Sequence, residues 1–303
     1  MSDFKHPSDS HLTTDSPVAE NPLADSPVTE NPWERLREFT DARIGLGRAG
    51  VSVPTKHLLA FQLAHAQAQD AVHSPMESEQ LIDNLVQQPW CPSGLPFLLH
   101  SQAESRAVYL QRPDLGRLLN SSSQQQLQDH HHPKQAQGEQ YDLAIAIVDG
   151  LSARAIEDNA LAFLSELIPA LKSQPEPWSI APLALIEQGR VAVGDQVGEL
   201  LNARCVLVLV GERPGLSSPD SMGLYLTWAP QVGRTDAYRN CISNVRPAGL
   251  KYPEAVRKTL YLMDEARRRE LSGVQLKDRS DDSVLELDGS TQNHNFLIGP
   301  ANN

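Results

Sequence analysis

From residue 141 onward, short apolar runs alternate with amphipathic stretches, and this rhythm restricts the fold more than any other feature of the chain. Residues 142–148, 180–186, 205–210 and 224–228 read as strands. Between them, Ser152 is placed to cap a helix reaching about Lys172, and 194–202 reads as a short helix. Pro253 opens a long helix to about Leu271, with Val256, Leu260 and Met263 on one face and Ala255, Thr259, Leu262 and Ala266 beside it. Strands alternating with helices predict an α/β domain with a mainly parallel, doubly wound sheet over residues 141–278.

Upstream the pattern is different. Residues 32–120 predict a helical N-terminal domain, with Trp33, Leu36 and Phe39 at helical spacing and 57–72 rich in Ala, Leu and Gln. Residues 121–140, with Gln124-Gln125-Gln126 and His130-His131-His132, read as a low-complexity linker, and the histidine run as a solvated tract. Residues 1–31 hold a near repeat, Ser16-Pro17-Val18 through Pro22 and Ser26-Pro27-Val28 through Pro32. Proline, serine and acid at this density predict a disordered tail. The polar residues 279–303 predict a flexible one.

Bulk properties exclude several classes. The 303 residues carry a formal charge of −12, with a pI near 5.3, which repels nucleic acid and anionic lipid. No apolar run approaches the roughly 20 residues of a membrane span, and no apolar signal core opens the sequence. Three cysteines, Cys91, Cys205 and Cys241, lie at no metal-like spacing, so a reducing compartment is expected.

Gly45-Leu46-Gly47-Arg48-Ala49-Gly50 matches G-x-G-x-x-G letter for letter. That fingerprint works only between a strand and a helix, where pyrophosphate meets a helix N-terminus. Here a helical pattern precedes it, and Pro54 opposes a helix after it. A self-sufficient nucleotide-dependent enzyme therefore has little support.

The loop after strand 205–210 is more informative. Gly211-Glu212-Arg213-Pro214-Gly215-Leu216 leaves the carboxyl end of that strand, where ligands sit in open parallel sheets. Asn240-Cys241-Ile242-Ser243-Asn244 lies in a second long connection, read as reaching the same rim. Each residue also has a plainer reading, with Cys241 and Val191 as core and Glu212 as a solvated carboxylate.

These words, with Arg37-Glu38-Phe39-Thr40-Asp41-Ala42-Arg43, Tyr109-Leu110-Gln111-Arg112-Pro113-Asp114-Leu115-Gly116-Arg117, Asp149-Gly150-Leu151-Ser152, Gly189-Arg190-Val191 and Ser272-Gly273-Val274, recur in order in one family. Over residues 32–278, apart from the Gln/His linker, the chain resembles the small subunit of ethanolamine ammonia-lyase. The resemblance implies a Rossmann-like C-terminal domain and a larger, barrel-shaped partner subunit that holds ethanolamine. It also implies adenosylcobalamin between the two chains, contacted here by Val191, Glu212 and Cys241. The implied reaction yields acetaldehyde and ammonia by a radical route, with the hydrogen-transferring groups on the large subunit and none in this chain. None of the ten histidines has glycine three positions later, so a bound cobalamin would keep its own base on cobalt. The implied location is the cytosol or a protein-shelled bacterial microcompartment. The alternative within this frame is a structural clamp that steadies the large subunit without touching cofactor.

Overall fold

The computed structural model describes residues 28–29, 31–130 and 140–280. The expected N-terminal tail up to residue 27, the 131–139 part of the linker and the C-terminal tail from residue 281 lie outside the described residues. The chain divides into two compact units, one through residue 62 and one from residue 63.

In the first unit, a 3-10 helix over Pro32–Glu38 is capped by Asn31, whose side chain accepts from the Trp33 amide at 3.0 Å. Gly45 explains part of the false dinucleotide motif. A Cβ there would lie 2.8 Å from backbone atoms of Trp33 and Glu34, and its φ is +60°, so the glycine lets two backbone segments touch. Helix α1, Thr55–His73, begins directly after Pro54, whose carbonyl accepts from the His57 and Leu58 amides. Pro54 therefore starts a helix where it was expected to oppose one, because proline costs nothing before the first turn.

The second unit is built on a six-stranded sheet in the order β1-β3-β2-β4-β5-β6. The strands are β1 Phe97–His100, β2 Tyr141–Val148, β3 Ala184–Glu187, β4 Ala203–Gly211, β5 Met222–Trp228 and β6 Arg239–Val245. The first four pair parallel; β5 is antiparallel to both β4 and β6. The mixed α/β architecture and mostly parallel sheet agree with the sequence pattern.

Side-chain alternation sorts the core into two faces. Leu143, Ile145 and Ile147 of β2, with Leu207, Leu209, Leu224 and Leu226, point to one side. There they meet helices α5, Ala153–Lys172, and α7, Tyr252–Arg269, as well as α2, Ser78–Val86. Ala144, Ala146, Val206 and Val208 point to the other, against α6, Val193–Leu200, and α4, Ser121–Gln128. Ser152 caps α5 as expected, accepting from the Ala155 amide at 3.2 Å. Among the described residues no helix is long and apolar enough to cross a membrane.

Three expectations need correction. β1 falls inside the span read as helical, because four residues are too few to show a period. α4 falls inside the span read as linker; Gln125, Gln126 and Gln128 are exposed and Leu127 alone supplies an apolar anchor. The stretch holding Cys241 is strand β6 where a connection was expected. It lies at the sheet edge, and its buried aliphatic side chains, Ile242 and Val245, serve one face of the sheet, so its sequence is mostly polar.

Candidate functional site

Chain direction gathers four turns at one end of the sheet. β2 leaves through Asp149-Gly150, β3 through Gln188-Gly189, β4 through Gly211-Glu212, and β6 ends beside them at Asn244-Val245. Polar loops are expected to collect ligands at this end of a parallel sheet.

Glu212 is the first residue beyond β4. Its amide donates to the Ser221 carbonyl at 2.9 Å, closing the base of the long 212–221 loop. Its Oε2 accepts from the Ser221 hydroxyl and, at 3.3 Å, from the Asn244 amide. Oε1 leans over Gly223, 2.8 Å from where a Cβ would stand, and the Tyr225 ring approaches the same point to 3.2 Å. A bare Cα at 223 thus lets carboxylate and phenol share one patch.

Tyr225 sits directly opposite Cys241 in the β5–β6 register. Burial drives its phenol well above the usual range, with the Cys241 thiol and Glu212 carboxylate pushing the same way. Cys241 is exposed, and its sulfur lies 3.3 Å from the Ser243 hydroxyl. α6 packs over β2 and β4, and Cys241 and Ser243 beyond it remain exposed. The structure therefore brings Glu212 and Cys241 together through Tyr225.

Val191 stands apart from that pair. It lies in the turn between β3 and α6 and lines a cavity of about 630 Å³ with Arg190, Ala192 and Arg239. Arg239 and Cys241 are two apart on β6 and so face the same side of the sheet. Neither Glu212 nor Cys241 lines the cavity itself.

The Val191 turn is held from two directions. Asp149 accepts from the Gln188 amide at 2.9 Å and the Gly189 amide at 3.0 Å, and Arg106 on helix α3, Arg106–Gln111, lies 3.5 Å away. Burial pushes the Asp149 carboxyl up to about 6, against the opposing pull of those amides and of Arg106. From the other side Tyr109 donates to the Gly189 carbonyl, and the Arg190 amide donates to the Gly116 carbonyl at 2.7 Å. On the far flank of α6, Asp195 forms a buried ion pair with Arg239.

Comparison with known proteins settles the family. A family model described as ethanolamine ammonia-lyase light chain (EutC) matches residues 30–277. The chain belongs to the ethanolamine ammonia-lyase light-chain family. It is 56% identical to the ethanolamine ammonia-lyase small subunit of Azotobacter vinelandii over 286 residues, 94% of this chain and 98% of that one. The small subunit of Xanthomonas campestris pv. campestris is 55% identical over 88% of this chain and 95% of its own length. That of Pseudomonas aeruginosa is 54% identical over 88% and 94%. A light chain of an ammonia-lyase implies a heavier companion. All the site residues described above fall within the span matched to the light-chain family.

Sequence reasoning missed Tyr225, Asp149 and Tyr109 as parts of this region. Asp149 and Tyr109 stand inside the recurring words, but their partners lie 39 to 80 residues away. Tyr225 becomes meaningful only once the strand register sets it against Cys241.

Proposed function

We propose that this chain is the small subunit of an adenosylcobalamin-dependent ethanolamine ammonia-lyase, and that Val191, Glu212 and Cys241 form part of one wall of its cobalamin site. The observation that carries the reading is the Glu212–Tyr225–Cys241 patch, exposed at Cys241 and on the same sheet face as Arg239, which lines the cavity that holds Val191. The names of the family and of the small-subunit relatives point to ethanolamine as substrate and ammonia as a product, and loss of ammonia from ethanolamine leaves acetaldehyde.

The residues fit the group. Cobalamin is a broad apolar ring edged with amide side chains, so it calls for hydrogen-bond acceptors beside smooth apolar surface. Glu212 supplies the carboxylate, the half-buried Tyr225 ring supplies flat surface, and exposed Ser243 adds a hydroxyl. Near Val191 the Arg190 Nε is buried without a partner, a donor still to be satisfied.

When bound, adenosylcobalamin supplies the radical chemistry that starts the reaction. This chain binds and orients the cofactor's flank. Glu212 accepts from amide or ribose donors, Val191 and Cys241 give close contact, and the paired subunits exclude water and stray reactants. The hydrogen-transferring groups belong to the barrel-shaped large subunit, and the fold of this chain is read as Rossmann-like. The assembled enzyme works in the cytosol or in a bacterial microcompartment.

Co-expression with the large subunit, followed by an acetaldehyde assay, tests the reading. Activity is expected only with both chains and adenosylcobalamin present. Full activity of the large subunit alone, or without the cofactor, contradicts it. Photocrosslinking of cobalamin to the complex should label this chain; an unlabelled chain is the signature of a clamp.

A further inference from the structure

The segment that holds the false dinucleotide motif has a defined shape and no core. Among the described residues through 62, Pro54 alone is buried. Local bonds set the backbone instead. Thr29 and Arg48 exchange amide–carbonyl hydrogen bonds at 2.7 and 3.0 Å, and Gly45 lets residues 33 and 34 close on it. Ala49 and Ser52 exchange theirs at 2.9 and 3.0 Å around a tight turn, with Gly50 at φ +60° and Val51 at the tip.

Turn tips of this kind are ordinarily polar, yet Val51 is fully exposed. Trp33, in the Pro32–Glu38 3-10 helix, and Phe39, which ends it, are exposed too, Phe39 at 80%. On the first turns of α1, Leu58, Leu59 and Phe61 span an arc of roughly 160°, the breadth of a helix face made for a core. All three are exposed. Together with Val53 these side chains leave on the order of 1,000 Å² in water, against about 800 Å² per partner in a standard interface. The backbone entropy lost in fixing this segment has no internal burial to offset it, so the compensating surface lies on another chain.

That chain is the large subunit. The segment 31–62 carries Arg35, Arg37, Arg43, Arg48 and Lys56 against Glu34, Glu38 and Asp41, a net +2 in a protein of −12. A symmetric contact between two copies would set this charge against itself. An acidic surface on a different chain suits it. The match to the light-chain family opens at residue 30, where the segment begins, so the segment is common property of chains that work with a heavier companion.

We infer that residues 31–62 form a docking arm whose fold is completed on an acidic groove of the large subunit, with Trp33, Phe39, Val51, Leu58, Leu59 and Phe61 as its anchors. The inference rests on the two-subunit reading above and adds the surface that makes the joint. None of the arm's residues belongs to the cofactor wall.

The test is hydrogen–deuterium exchange on the free chain and on the co-expressed two-subunit complex. Amides of residues 31–62 should exchange at least a hundredfold more slowly in the complex, while those of β2 and β4 are equally protected in both. Phe39→Asp and Leu59→Glu, both at exposed side chains, should each leave thermal unfolding of the free chain unchanged and weaken binding to the large subunit tenfold or more. Arg35→Glu combined with Lys56→Glu should weaken binding most at low salt. An arm that exchanges equally fast in both states, or variants that bind as tightly as wild type, overturns the inference. Protection already present in the free chain, with a mass that rises with concentration, gives the face to a second copy and overturns it too. Acetaldehyde formation separates the two readings. An active complex with an unprotected arm keeps the two-subunit enzyme and loses only the arm; unaltered chains that form no complex lose both.

Discussion

The Tyr109 hydroxyl donates to the Gly189 carbonyl at 3.1 Å, across eighty residues of sequence. The ring is fully buried, with the Arg106 and Arg190 guanidiniums over it at 4.8 and 4.1 Å. Burial holds the phenol well above its ordinary range, so it stays a donor at any working pH. The turn bearing Val191 is therefore positioned by a segment that is remote in sequence.

Tyr109→Phe removes that donor and keeps the ring. The Gly189 carbonyl loses its partner in a buried setting, at a cost of about 1–2 kcal/mol. Urea unfolding should show a lower midpoint with an unchanged slope.

Asp149 gives the chain a pH signature. Its carboxyl is pushed up to about 6, above the 3.8 of an unperturbed aspartate, so the folded chain keeps a proton that the unfolded chain has released between those pH values. The group's contribution to stability is thus largest below pH 4, falls as pH rises to about 6, and is flat beyond. A shift of that size corresponds to about 3 kcal/mol. Asp149→Asn removes this dependence. Wild-type stability measured relative to the variant should decline between pH 4 and 6.5; a relative stability that rises over that interval contradicts the assignment.

Gly223→Ala would place a methyl 2.8 Å from Glu212 Oε1, at the end of a flexible side chain. The carboxylate can swing away at little cost in stability. The expected result is a melting temperature within a few degrees of wild type and a several-fold weaker affinity for cobalamin in the two-subunit complex.

Asp195→Ala leaves Arg239 buried, with Asp236 as its remaining carboxylate. Breaking a buried pair from one side costs about 3–5 kcal/mol. Because Arg239 also lines the cavity with Val191, thermal unfolding and cobalamin affinity should both suffer.

How much of this was legible depended on burial. β2 and β4 are covered on both faces and so read as continuous apolar runs, visible without any structure. β6 contributes only Ile242 and Val245 to the apolar core, and its polar remainder hid the strand. α4 was invisible because one leucine anchors eight residues. Glu212 could be placed from its position after an evident strand. Val191 stood out only through family wording, and Cys241 through that wording and a connection read as reaching the same rim. Tyr225, Arg106 and the cavity arginines had no local signal, since their roles arise from strand register and from segments brought together by the fold.

The central claim is that this sheet edge carries half of a cobalamin cradle, and the most direct measurement is cofactor affinity in the two-subunit complex with Glu212 replaced. Glu212→Ala should raise the cobalamin dissociation constant by about tenfold or more, the worth of a charge-assisted hydrogen bond, while turnover at saturating cofactor changes far less. Glu212→Gln, which can still accept from Ser221, should fall between the two. An unchanged dissociation constant in Glu212→Ala, in a complex that still assembles, contradicts the account.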